Sequence, residues 1–298
     1  LYNAALLLDA GEIAAVRLKH ELPNYGVFDE KRVFASGPLP GPIACRGVRL
    51  GVMVCEDMWI PDVAECLEES GAEILVVLNG SPFETDKLDE RLNHAVARVK
   101  ESGLPLVYVN LVGGQDEVVF DGASFVLGAD CALRAEAASW RPHVLLTRWS
   151  RASGENWTCE PASIEPRPEG LEAIYRAMVT GLRDYVDKNR FSGVVLGLSG
   201  GIDSALTAAV AVDALDAARV RCVMMPSPHT SAESLEDAAA TAKLLQTTLD
   251  TIPIEPAMEV FDTMLAGVFA GHEADVTEEN IQARARGLVL MALSNKLG

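Results

Sequence analysis

The sequence predicts two α/β domains in tandem. The first is a sheet-on-sheet core with helices outside, and the second is a parallel sheet flanked by helices. Three observations predict this. The chain has 298 residues, 49% of them hydrophobic, enough to bury two cores. In residues 1–148 the strand-like runs outnumber the helical ones and come partly in hairpins, which favours packed sheets. In residues 169–298 apolar strand runs alternate with helical runs, which calls for a parallel sheet with ligands at the C-terminal ends of its strands. Between them periodicity dissolves from Arg141 to Arg167, and 149–168 reads as a linker ending in the stiff Glu165-Pro166-Arg167-Pro168-Glu169 joint.

In chain order, Asn3 to Leu8 and Ile13 to Leu18 read as a hairpin around Asp9-Ala10-Gly11, with Lys19 closing its second strand. Val48 to Val54 is a near-continuous apolar strand that ends on Cys55. Pro61 to Ser70 is a helix with proline in its first turn. Ile74 to Leu78 and Leu106 to Asn110 are strands, and Lys87 to Glu101 is an amphipathic helix between them. Short β runs at 118–120 and 124–127 flank Asp121-Gly122. Taken singly, Cys55 reads as a small core hydrophobe and Lys19 as a solvated strand end. A cysteine at a strand exit is also where a nucleophile is held rigidly, and a nearby lysine lowers a thiol pKa and stabilises an oxyanion.

In the second half Leu171 to Asn189 reads as a helix and Val194 to Leu198 as a buried strand. The strand breaks into Ser199-Gly200-Gly201, and an alanine-rich helix follows from Ser204 to Ala214. Strand, glycine turn and helix N-terminus together suit a phosphate. The loop is neither G-x-x-x-x-G-K-[ST] nor G-x-G-x-x-G. Further runs predict strand Val220 to Met225, helix Ser234 to Gln246 capped by Ser234 with Asp237, strand Thr251 to Ile254 and helix Ala257 to Phe269. The last helix is expected to start at an N-cap Thr277 and to bury Ile281, Ala285, Leu288 and Ala292. On it Asn280 and Arg284 are neighbours one turn apart.

The formal net charge of −18 argues against non-specific nucleic-acid binding. No apolar run reaches 18 residues, so no membrane span is expected, and no signal peptide is visible. Six scattered cysteines without a C-x-x-C pair form neither a zinc nor a disulfide framework, and a cytoplasmic setting is the default expectation. The chain starts at Leu1 within an apparent strand and stops at Gly298 just past a helix, so truncation at both ends is expected.

Two resemblances carry the functional expectation. Residues 199–204, S-G-G-I-D-S, resemble the pyrophosphate loop of Rossmann-like ATP pyrophosphatases. That implies ATP as substrate, Ser199, Gly200, Gly201 and Ser204 around the departing pyrophosphate, and Asp203 on Mg²⁺. Arg17 to Tyr25 and Gly51 to Asp57 resemble the nitrilase, or carbon–nitrogen hydrolase, superfamily, which builds an αββα sandwich around a Glu-Lys-Cys triad. Lys19 and Cys55 map to its lysine and cysteine, Glu30 resembles its supporting glutamate, and the general base is expected upstream of Leu1. Residues 79–84 with Tyr25, and the Asn280 to Gly287 helix, resemble the glutamine-dependent NAD⁺ synthetase family. That implies Tyr25 and Ser81 at a glutamine pocket, Met225 in the ATP-binding wall, and Asn280 and Arg284 on deamido-NAD⁺. It also implies an ammonia tunnel and a homo-oligomer through synthetase-domain dimers. Other ATP-pyrophosphatase amidotransferases, and a non-catalytic nucleotide-binding module, stand as alternatives.

Overall fold

The computed structural model describes residues 1–85 and 87–297, and divides into two compact units, Leu1–Ala177 and Met178–Gly298. The chain-end residue Gly298 lies outside the described residues.

In the first unit, β1 (Ala4–Asp9) and β2 (Glu12–Leu18) form the expected antiparallel hairpin. β3 (Ile43–Cys45) and β4 (Val48–Val54) lead to a 3-10 turn at Cys55–Met58 and helix α1 (Pro61–Glu69). β5 (Ile74–Asn79), α2 (Lys87–Ser102) and β6 (Leu106–Asn110) follow. The short strands β7 (Val112–Gln115), β8 (Val118–Asp121), β9 (Phe125–Leu127) and β10 (Leu133–Glu136) complete the unit's main body. The central sheet runs β10-β9-β6-β5-β4-β3, with β4, β5 and β6 parallel.

Alternation along β4 sorts its side chains between two layers. Met53 joins Val63, Leu67 and Val99 in the core under α1 and α2, whereas Val52 and Val54 face the hairpin residues Ala5 and Leu7. Helices therefore cover one face of the sheet and a β layer covers the other, as the sheet-on-sheet expectation required. The stretch read as structureless also contains a two-residue ladder, β11 (Trp149–Ser150) with β12 (Thr158–Cys159). Trp157 lies beneath the Arg151 guanidinium, 4.9 Å from its carbon to the ring centroid.

Helix α3 (Gly170–Lys188) spans the division between the units. In the second unit β13 (Val194–Gly197), α4 (Ile202–Leu215), β14 (Val220–Met224), α5 (Ala232–Leu244) and β15 (Thr248–Thr251) alternate. The three strands pair in parallel, in the order β13-β14-β15. α6 (Glu255–Leu265) and α7 (Val276–Leu297) follow. Their core gathers Val223, Met225 and Ile254 with Val289, Leu290 and Leu293 of α7.

Five local expectations are corrected here. β15 lies at Thr248–Thr251 rather than at Thr251 to Ile254, because Arg221 to Met224 take their parallel partners there. α6 starts at Glu255 and ends at Leu265, four residues short of the expected Phe269. α5 is capped by Ser231, whose extended backbone lets its hydroxyl accept from the Ser234 N–H at 3.1 Å; Ser234 sits inside the helix. α7 is capped by Asp275 rather than Thr277: the Asp275 carboxylate accepts from Thr277 N–H and its own N–H donates to Glu278, a reciprocal capping box. On α7 Ala285 is buried as expected, but Leu288 is 68% exposed and Ala292 is exposed, because the sheet takes up the Val289, Leu290 and Leu293 face instead.

Candidate active sites

The site of the first unit is assembled by one buried carboxylate. Asp57, 1% exposed, accepts backbone N–H groups from Val54 at 2.9 Å, His20 at 3.0 Å and Glu21 at 2.8 Å. One side chain thus ties the exit of β4 to the end of β2, two segments 36 residues apart. Burial pushes the Asp57 carboxyl up, and the three N–H donors and Lys19 oppose the rise. The effect of the tie is to set Lys19 beside Cys55. Lys19 is 1% exposed, not a solvated strand end, and its Nζ donates to both oxygens of Glu30 at 2.8 Å.

Cys55 has φ of +51°, left-handed backbone that a side chain with a Cβ adopts only at a cost. It opens the 3-10 turn and is partly buried. Burial pushes its thiol up; Lys19 and a hydrogen bond from the Gly80 N–H pull it down, and Glu56 and Glu30 push it further up. Tyr25 donates its hydroxyl to both Glu56 oxygens at 3.0 Å. Burial and then the Glu56 carboxylate raise its phenol far above the ordinary value, and burial also raises Glu56. Ser81 is 3% exposed; its hydroxyl accepts from Arg91 at 3.0 Å and retains a proton to donate. Lys19, Glu30 and Glu56 are therefore gathered around the Cys55 thiol, with Tyr25 held on Glu56. The arrangement suits nucleophilic attack by sulfur with a cation close by.

The site of the second unit lies where β13 meets α4, at the C-terminal edge of the parallel sheet. The serines knit the loop. Ser199 N–H donates to Ser204 Oγ at 3.1 Å, the two hydroxyls lie 3.0 Å apart, and Ser204 donates to the Gly201 carbonyl at 2.9 Å. Gly200 has φ of +86°, and a Cβ there would stand 2.3 Å from the Ser234 carbonyl oxygen of α5. Gly201 precedes the first turn of α4, whose N-terminus favours anions, and Asp203 stands in that turn. Met225 is 6% exposed; its carbonyl accepts from Arg286 Nε at 3.2 Å, which ties α7 to the end of β14. Asn280 and Arg284 are exposed on α7.

Residues 1–158, more than half of the chain, match the carbon–nitrogen hydrolase family model. The chain belongs to the carbon–nitrogen hydrolase family. Residues 174–298 also match the NAD synthase family model. The chain is 52% identical over 297 residues to the glutamine-dependent NAD(+) synthetase of Rhodobacter capsulatus and 39% identical over 329 residues to that of Thermotoga maritima. All of this chain is covered in both, against 54% and 57% of the two relatives. It spans about half the length of the curated relatives it matches. Among solved structures, the glutamine-dependent NAD⁺ synthetase of Acinetobacter baumannii, in complex with ADP, superposes with a TM-score of 0.93 at 42% identity. That match covers 100% of this chain and 56% of the other. The enzyme of Cytophaga hutchinsonii has the same fold, with a TM-score of 0.79 at 20% identity over 99% of this chain and 57% of that one. The expected architecture, a nitrilase-like unit followed by an NAD synthetase unit with a parallel sheet, therefore holds.

Sequence reading missed the role of Asp57, the partnership of Glu56 with Tyr25, and the Arg286 tie to Met225. Glu56 and Asp57 directly follow Cys55, which is the only local signal for them. Arg286 shares the α7 motif with Arg284, but which of the two turns toward the sheet depends on helix packing.

Proposed function

We propose that this chain carries the glutaminase and synthetase sites of a glutamine-dependent NAD⁺ synthetase. The observation that supports this best is the joint presence of two sites in one chain: Lys19 buried on Glu30 beside the strained Cys55, and the serine-knit 199–204 loop at a parallel sheet edge. Its similarity over the whole chain to synthetases of that description points the same way.

In the first site Cys55 attacks the side-chain amide carbon of glutamine, with Lys19 stabilising the tetrahedral oxyanion and Glu30 orienting Lys19. Ammonia leaves, a thioester remains, and water releases glutamate. Tyr25 and the spare Ser81 proton address the amino-acid end of the substrate. In the second site the nicotinate carboxylate of deamido-NAD⁺ attacks the α-phosphorus of ATP. Pyrophosphate departs onto Ser199, Gly200, Gly201, Ser204 and the α4 N-terminus. Ammonia then displaces AMP from the acyl-adenylate and gives the nicotinamide. Met225 forms part of the wall that receives ATP, and Asn280 and Arg284 hold deamido-NAD⁺, the arginine through its fork for phosphate or carboxylate oxygens. Asp203 alone, exposed at the loop, fits Mg²⁺, which takes one or two carboxylates with phosphate oxygens and keeps several waters. When bound, the ion neutralises charge on the triphosphate.

Exposed apolar side chains on α6 and α7, among them Val260, Met264, Leu288 and Met291, support assembly into a homo-oligomer through the synthetase unit. Six free thiols suit a reducing compartment, consistent with a cytoplasmic enzyme. Among the described residues no helix is long and apolar enough to cross a membrane.

The test is NAD⁺ formation by the full-length protein with glutamine or with ammonium as nitrogen donor. Cys55→Ala is expected to abolish glutamine-driven synthesis and to keep ammonium-driven synthesis. AMP and pyrophosphate release with some other carbonyl acceptor, and none with deamido-NAD⁺, would sink the NAD⁺ assignment.

A further inference from the structure

The 199–204 loop opens a gap in the second unit's sheet, and a side chain of α7 fills it. β13 and β14 pair in parallel as far as Gly197 beside Val223, and the ladder ends with Leu198 N–H donating to the Val223 carbonyl at 2.9 Å. Ladder bonds on one side of a strand recur at every second residue. The next carbonyl of β14 on that side is that of Met225, and its regular partner is the N–H of Gly200. The chain instead turns away at Ser199, and Gly200, with φ of +86°, lies against the first turn of α5. On the other side of β14 the pattern runs on, with Ile252 N–H on the Met224 carbonyl at 2.8 Å and Ile254 N–H on the Pro226 carbonyl at 3.0 Å.

The Met225 carbonyl is therefore the one that the loop deprives of its strand partner. Met225 is 6% exposed, and a buried carbonyl calls for a donor. Arg286 Nε supplies it at 3.2 Å. Among the described residues no other hydrogen bond joins the body of α7 to the sheet. The remaining contacts are apolar: Val289, Leu290 and Leu293 pack on Val223, Met225 and Ile254. Gly197 leaves room for them, since a Cβ there would stand 3.1 Å from Met225 Cε and 3.7 Å from Leu290 Cδ1. Apolar contact is non-directional and lets a helix turn or slide, whereas a hydrogen bond to a fixed carbonyl does not.

We infer that Arg286 is a positioning residue for the synthetase reaction: by taking the carbonyl that the loop leaves unpaired, it sets the rotation and height of α7, and with them Asn280 and Arg284, against the edge that receives ATP. The inference rests on the reading of the loop as the pyrophosphate site and of Asn280 and Arg284 as holding the acceptor. Arg284 and Arg286 are two residues apart and do not share a face of the helix; Arg286 is half-buried and Arg284 exposed. One arginine holds the helix, and the other is presented to ligand.

The experiment uses the full-length protein with ammonium as nitrogen donor, so the first site takes no part. Arg286→Met keeps an apolar stem and removes the donor. It is expected to raise KM for deamido-NAD⁺ about tenfold and to lower kcat about tenfold, the scale of a helix misplaced by about 1 Å, with KM for ATP changed much less. Arg286→Lys keeps a donor for the carbonyl and should recover most of the loss. Leu293→Ala is the structural control: it strips an apolar contact from the same helix and should lower Tm by several degrees while leaving KM for deamido-NAD⁺ near the wild-type value. A double-mutant cycle decides the route. If Arg286 acts by placing Arg284, adding Arg286→Met to Arg284→Ala should cost less than about threefold more in kcat/KM. Fully additive losses, or a KM for ATP that rises as much as that for the acceptor, would show that Arg286 touches ligand itself and would overturn the inference. Wild-type kinetics in Arg286→Met, or an equal loss in Leu293→Ala, would overturn it too. Hydrogen exchange gives a readout without turnover: in Arg286→Met the amides of 280–286 should exchange faster than in the wild type, and unchanged exchange there would count against the tie just as firmly. If the cycle and the exchange behave as expected but only with an acceptor other than deamido-NAD⁺, the positioning role stands and the NAD⁺ reading falls.

Discussion

Replacing Gly200 by alanine tests the phosphate loop at its tightest point. Two costs are legible in the structure. The φ of +86° is a conformation that alanine enters at about 1–2 kcal/mol. The added Cβ would also stand 2.3 Å from the Ser234 carbonyl oxygen and 2.9 Å from its Cα, both backbone atoms of the first turn of α5. Neither can rotate away, so loop and helix must part by about 1 Å to reach ordinary contact, and a displacement of that size costs about 100-fold in rate when reacting groups are held in register. The neighbouring glycine supplies the contrast. A Cβ at Gly201 meets only the Ser199 hydroxyl, at 3.4 Å, and no positive φ is imposed there. Ammonium-driven synthesis by the full-length protein is the assay, because it isolates the second site, and thermal unfolding is followed in parallel. Gly200→Ala is expected to lower Tm by several degrees and synthesis by about two orders of magnitude. Gly201→Ala should leave Tm within a degree or so of the wild type. Equal loss of stability in the two variants, or wild-type synthesis by Gly200→Ala, would refute the reasoning.

Two further outcomes follow from the first site. Burial raises the Cys55 thiol and Lys19 opposes the rise, so Lys19→Met should move the pH midpoint of Cys55 alkylation by iodoacetamide up by about one pH unit or more and leave less thiolate at any fixed pH; a downward shift would contradict the arrangement. Asp57→Ala strips three backbone N–H groups of their acceptor and should destabilise the first unit by about 3–6 kcal/mol in urea unfolding, where a loss below about 1 kcal/mol would show that the tie between β2 and β4 carries little.

What the sequence showed and what it hid divide along a physical line. The 199–204 loop was legible because strand, glycine turn and helix lie within one short window and each has a local signal. The β1–β2 hairpin and the strand leading to Cys55 were legible for the same reason. The union of Lys19 with Glu30 and Cys55 was reached only through family resemblance, since Asp57 joins those segments through backbone N–H groups, which carry no residue identity. Arg91 sits on an amphipathic helix, where an arginine ordinarily marks the wet face; only the tertiary arrangement turns it inward to Asp121. On α7 the periodic stripe was found but rotated, because Leu288 and Val289 are equally apolar and the sheet, not the helix, selects between them. At α5 two serines three residues apart both satisfy the capping pattern, and the extended backbone at Ser231 decides for the first.

The left-handed backbone of Cys55 bears on how inactive forms of such an enzyme should be made. Alanine at that position removes the sulfur but inherits the unfavourable dihedral, so it yields a protein that is both inert and still under tension. Glycine would release it, by about 1 kcal/mol or somewhat more. On the proposed role of Cys55, a lineage that lost the hydrolytic reaction through glycine at this turn would thus find folding improved by the same change. A cysteine kept at this turn thus carries a cost in folding that the proposed chemistry would offset.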